Sequence, residues 1–192
     1  MIKYTLTLHG PKEYHLWLKL QEEVDRMVIN KDVFNQIMGK IEVRVLKGGG
    51  NRFKDALDLL LYLIGRLPII DRKIIRIAID PGKTFGVVVV IGDRIFLGKS
   101  YHNEEQLSCL LELLRRYFKD YDIEIYVGNG IGRDKVITLL SSMKLPHDKI
   151  SLVDEEEASQ IYTTYNIRDK NVYSAFKILL KALQDRCLWG VM

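Results

Sequence analysis

The 192-residue chain predicts an α/β fold, a mixed five-stranded sheet with a smaller α+β region ahead of it. Two observations carry that reading. Short runs rich in Ile and Val recur at residues 73–79, 85–91, 94–99, 122–127 and 150–153, the composition and length of strands. The first three runs are separated only by turns, whereas helical patterns separate the later ones. Three antiparallel strands are therefore followed by helix, strand, helix, strand and helices. The crossovers in the second half imply parallel pairing, with helices on the faces of the sheet.

Each element has a local reason. Asp80-Pro81-Gly82 ends the first run as a tight turn, and Gly92-Asp93 turns the second run into the third. Asn103 is the expected N-cap of a helix to about Lys119. Glu104 and Glu105 sit in its first turn, and Leu107, Leu110, Leu111 and Leu114 form its core stripe. The run at 122–127 enters a glycine-bearing turn, Gly128-Asn129-Gly130-Ile131-Gly132, and then a helix from Asp134 to about Met143. Pro146 marks a loop before Ile150–Val153, and helices over 155–165 and 171–188 finish the chain.

Residues 73–192 form the main domain in this reading, and residues 1–72 the α+β region. There, alternation of Tyr4, Leu6 and Leu8, and of Ile41, Val43 and Val45, predicts two strands. Leu16, Leu20, Val24 and Met27 share one face of a helix over 13–27. After the Gly48-Gly49-Gly50 break, Asn51 is the expected cap of a helix from Arg52 to Arg66, stopped by Leu67-Pro68. Tyr4, Tyr14, Trp17, Phe34 and Phe53 stand among lysines, a pattern shared by base-stacking surfaces and by ordinary cores. The region fits a recognition module, a dimerisation element or a cap on the sheet.

Composition excludes several classes. At 47% hydrophobic and 28% charged residues, the chain is neither disordered nor collagen-like. Its apolar runs stop short of a membrane span, and no secretory pattern follows Met1, so a soluble cytoplasmic protein with no membrane partner is expected. Cys109 and Cys187 lack zinc-site spacing. The net charge of +4 names no partner, since residues 1–72 carry a basic surplus of three and the remainder a surplus of one.

Three places hold residues suited to chemistry. Asp80 ends the first strand of the main domain, where a carboxylate can be held rigidly for a divalent cation, although Asp-Pro-Gly is also simply a good turn. The turn at 128–132 can present backbone N–H groups to phosphate, yet its Gly-x-Gly-x-Gly spacing is not the dinucleotide fingerprint. Asp154 to Glu157 open a helix, which the helix dipole favours. The sheet order also brings that edge near Asp80. Neighbouring carboxylates do not both stay ionised cheaply without a cation between them.

Together these segments resemble the RuvC/YqgF group of Holliday-junction-resolvase-like domains in the ribonuclease H-like superfamily. Asp80-Pro81-Gly82-Lys83-Thr84-Phe85-Gly86 resembles its Asp-Pro-Gly-x-x-x-Gly opening. Val127-Gly128-Asn129-Gly130 with Arg133-Asp134 is similar to a segment of the YqgF-like domain of Tex-type transcription accessory proteins. Val153 to Ser159 resembles the Asp-Glu-x-x-(Ala/Thr)-Ser segment after the fifth strand. The likeness covers about residues 73–187.

The resemblance implies Mg²⁺ or Mn²⁺ held by Asp80 and Glu155. The family's last aspartate falls at Asn171, with Asp169 two residues earlier as a substitute, and Asn129 stands where true resolvases carry glutamate. Lys83, Thr84, Asn129, Arg133 and Lys135 are the expected nucleic-acid contacts, and a homodimer is the expected assembly. Three readings stay open: a metal-dependent nuclease acting on structured DNA or RNA, branched forms included; a nucleic-acid-binding domain that has lost cleavage; and an assembly or scaffold protein.

Overall fold

The structure is a computed structural model that describes residues 4–47, 52–66, 72–93, 95–144 and 149–189. In chain order its elements are β1 (Tyr4–His9), α1 (Gly10–Met27), α2 (Lys31–Met38), β2 (Ile41–Leu46), α3 (Ala56–Arg66), β3 (Ile74–Asp80) and β4 (Phe85–Ile91). There follow β5 (Ile95–Tyr101), α4 (Glu104–Tyr117), β6 (Asp122–Gly128), α5 (Arg133–Ser142), β7 (Ile150–Val153), α6 (Glu155–Ser159) and α7 (Lys170–Trp189). The main sheet runs β5-β4-β3-β6-β7. β4 is antiparallel to both its neighbours, and β3, β6 and β7 are parallel, as the order of short runs and helices predicts.

The central strand is buried on both sides, and side chains alternate across it. Ile75, Ile77 and Ile79 join one hydrophobic cluster with Val87, Val89, Leu97 and the leucines of α4. Ala78 joins the other with Val88, Val90, Tyr126, Val172 and Phe176. That second face is covered by α7. Its first turn approaches closely because small residues lie beneath it. A Cβ at Gly86 would collide with the backbone carbonyl of Asn171, and one at Gly98 would come 2.5 Å from Val172 Cγ1.

The first face is covered from the N-terminal side. Trp17, Leu20, Phe53, Leu59 and Leu60 belong to the same cluster as Ile75 and Ile77, so the packing is continuous from α1 and α3 to the sheet. β1 and β2 form a separate parallel pair, and Val28 bridges to Leu97 at the sheet edge. Trp17, Phe34 and Phe53 are core residues, which removes them from any base-stacking surface; Tyr14 is exposed. No helix among the described residues is long and apolar enough to cross a membrane.

Several boundaries differ from the sequence reading. α1 starts at Gly10, with Pro11 in its first turn, where a missing N–H is harmless. α2 has no counterpart in the sequence reading. α3 starts at Ala56, since Arg52 is drawn aside to Glu13, and Asp55 Oδ1 accepts from Asp58 N at 2.9 Å in the first turn. α4 begins as expected, with Asn103 accepting from Gln106 N, and stops at Tyr117. α6 is only five residues long, and α7 begins at Lys170. Asn51, the 48–50 glycines, Leu67-Pro68, Arg94 and Pro146 lie outside the described residues.

Glu13 fastens the N-terminal region. Fully buried, it accepts from His9 N and Arg52 N, each at 2.8 Å, and from Arg52 Nε and Nη2 at 3.1 and 3.0 Å. Burial disfavours its charge, but the Arg52 hydrogen bonds and the two backbone N–H groups outweigh that and hold the carboxyl below its ordinary value. Its contribution is therefore present at neutral pH and is lost as pH falls through that lowered value. Glu13→Ala leaves two backbone donors and a guanidinium without their acceptor. Urea unfolding at pH 7 should show a loss of about 2–3 kcal/mol. A loss below about 0.5 kcal/mol would refute this role.

Candidate functional site

Asp80 closes β3 on the face that α7 covers, two residues beyond Ala78 along the same side of the strand. It is half-buried. Across the ladder it pairs with Gly86, the residue on which the Asn171 carbonyl rests. The Asp80 carboxyl is pushed up to about 6, first by desolvation and next by the charge of Glu155, while a hydrogen bond with Ser174 of α7 works the other way.

Glu155 reaches this place from the end of β7 through the first turn of α6. β7 pairs with β6 so that Gly128 faces Val153, and the turn after β6 lies beside α6. Gly130 N donates to Glu155 Oε1 at 3.0 Å. A Cβ at either Gly128 or Gly130 would collide with the Glu155 carboxylate. The glycine turn thus cradles a carboxylate of the protein itself.

Asn129 clips the two segments together. Its Oδ1 accepts from Glu155 N at 3.1 Å, its Nδ2 donates to Asp154 Oδ2 at 3.3 Å, and its backbone N donates to Val153 O at 3.0 Å. Asp154 caps α6 through Glu157 N at 3.0 Å. Hydrogen bonds from backbone N–H groups, led by Glu157, hold its carboxyl below the usual value.

Asp169 is placed differently. Its Oδ1 accepts from Asn171 N and Val172 N at 2.9 and 3.3 Å, and its Oδ2 accepts from Ser100 Oγ at 2.7 Å. It is the cap of α7 and ties that helix to β5. Asn171 is half-buried beside Gly86. Among the described residues, no group of three or more His, Cys, Asp or Glu side chains is positioned to hold a metal ion together. The structure brings Asp80 and Glu155 together. Ser174, which sequence reasoning passed over, faces Asp80 from the turn of α7 that follows Asn171.

The expected nucleic-acid contacts divide. Thr84 lines a cleft described below, and Lys83 beside it is exposed. Arg133 Nε meets Asp134 Oδ1 at 3.2 Å, and Lys135 Nζ lies 3.9 Å from Glu104 Oε1, both in solvent-exposed pairs that water weakens.

The raised Asp80 value has a consequence for stability. The folded chain holds a proton there that the unfolded chain releases, so stability falls as pH rises from the ordinary aspartate range through about 6. Asp80→Asn removes that burden. Allowing for screening of a half-buried group, the variant should be more stable than wild type by about 1–2 kcal/mol near pH 7.5. The gain should vanish near pH 4. Urea unfolding at both pH values measures it, and equal stabilities near pH 7.5 would contradict the account.

No family model and no curated protein matches the chain, so the chemistry of the site rests on its own geometry.

Proposed function

We propose that the chain is a divalent-metal-dependent phosphodiester hydrolase of the ribonuclease H-like, RuvC/YqgF type, acting on structured nucleic acid. The observation that supports this reading is the Asp80–Glu155 pair at one edge of the sheet, two carboxylates close enough for one to raise the proton affinity of the other. Such a pair is a ready place for positive charge. The strand order β5-β4-β3-β6-β7, with only β4 reversed, supports the fold assignment.

The donor set fits a single hard cation such as Mg²⁺ or Mn²⁺, which keeps several positions for water and substrate oxygens. Asp80 and Glu155 would hold it, and the ion would supply the charge that activates water and stabilises the leaving oxygen. The chain's own part is positional. Gly130 N–H orients Glu155, Ser174 orients Asp80, and Asn129 holds the turn after β6 against α6.

A second reading is a nucleic-acid-binding domain of the same fold without cleavage. It is favoured by the commitment of Asp169 to capping α7 and by an uncharged Asn171 where the resemblance calls for aspartate. A scaffold protein of the same fold is the third. The discriminating experiment incubates the wild type with Mn²⁺ and branched DNA, single-stranded DNA or RNA. The hydrolase reading expects cleavage that falls on the order of 100-fold or more in Asp80→Asn. Salt-sensitive binding with no cleavage would support the second reading, and neither activity would favour the third.

A further inference from the structure

A cleft with a volume of about 900 Å³ lies beside the first turn of α7. Its walls come from three distant parts of the chain. One is the end of α1 and the start of α2, one is the edge strand β5, and the last is the segment that leads into α7. Thr84 and Asn171 line it. Asn171 rests on Gly86, and Gly86 is the ladder partner of Asp80, so this end of the cleft adjoins the candidate site.

The charges around the cleft are not evenly matched. Arg26, Lys31, Lys99 and Arg168 line it, against Glu22, Asp25 and Asp169. Lys31 and Asp25 pair with each other at 2.8 Å. That leaves Arg26, Lys99 and Arg168 against Glu22 and Asp169, so the cations are in surplus by one. The Asp169 carboxylate accepts from neutral donors, the amides of α7 and the Ser100 hydroxyl. No carboxylate among the described residues makes an ion pair with Arg26, Lys99 or Arg168, and all three are exposed. Ile29 and Ile167 add apolar surface between them. Exposed cations of this kind contact a phosphate backbone. The apolar ground between them is aliphatic, with no Phe, Tyr or Trp among the described lining residues, so the backbone and not base stacking would carry the contact. A cleft of about 900 Å³ has room for a short stretch of one strand.

We propose that this cleft takes a single-stranded segment of nucleic acid, running from Asp80 and Glu155 along β5 between α1 and the 166–169 segment. The proposal rests on the hydrolase reading for its direction and deepens it by naming the strand form of the substrate. It also gives the N-terminal region a task, since Arg26 and Lys31 belong to it.

The test measures binding of oligothymidylate and oligouridylate, each about twelve nucleotides long, to the full chain in EDTA across a salt series. Arg26→Ala/Arg168→Ala removes one cation from each wall. Lys119→Ala/Lys149→Ala removes two lysines that do not line the cleft, exposed Lys119 and half-buried Lys149. The cleft pair should bind at least about tenfold more weakly at low salt, with a log–log salt slope shallower by about 1.4. The control pair should bind like wild type, and the two oligonucleotides distinguish DNA from RNA, either result supporting the cleft. The proposal is overturned by unchanged affinity in the cleft pair, by an equal loss in the control pair, or by tighter binding of a duplex of the same length. Cleavage that depends on Asp80 with unchanged binding by the cleft pair would overturn the cleft alone. Cleft-dependent binding with no Mn²⁺ cleavage would support the cleft and sink the hydrolase reading alone.

Discussion

The first turn of α7 lies directly on β4, and the site depends on that close approach. It is possible only because Gly86 and Gly98 leave the sheet surface bare where the helix begins, with small Ala78 on the same face of the central strand. Larger residues there would lift the helix. The same approach shields Asp80 from water, brings Ser174 to it, and sets Asp169 against Ser100. It also turns the 166–169 segment toward β5, where that segment becomes a wall of the cleft. One steric condition thus shapes the electrostatics of the carboxylate and the channel beside it.

Opposite, the sheet is covered by a hydrophobic cluster shared with α1 and α3, fastened by Glu13 and Arg52. Burying a charged pair is seldom stabilising against an apolar alternative, but breaking one is destabilising. Here the carboxylate also satisfies two backbone donors, so the pair joins the start of α1 to the segment before α3. Through that join the N-terminal region holds Arg26 and Lys31 beside the edge of the sheet.

Most of the main sheet was legible in the sequence because its signals are local. Runs such as Phe85–Ile91 have β-branched content, and Asn103 carries its own capping geometry. Asp80 and Glu155 could be placed at strand ends for the same reason. What was not legible depends on tertiary contacts. The helical pattern over 155–165 ends at Ser159, where Lys177 of α7 donates to the Ser159 carbonyl and Tyr165 packs edge-on to Phe176. Asp169 looked like a spare metal ligand, and only the position of α7 shows it to be a cap. The cleft is assembled from residues more than 140 positions apart, Glu22 to Val172, so no local pattern could disclose it. The overall charge of +4 conveys little, whereas its arrangement sets a carboxylate pair near a cleft where Arg26, Lys99 and Arg168 stand exposed.

The central claim is that Asp80 and Glu155 form a pair that a divalent cation relieves. Calorimetric titration of Mn²⁺ in buffers of different ionisation enthalpy tests it most directly, because the proton displaced from Asp80 is counted with the ion. At about pH 6 each ion bound should release about half a proton, falling toward none at about pH 8, and Asp80→Asn should abolish the release. Failure of Mn²⁺ to bind, or binding at about pH 6 without proton release, would contradict the account.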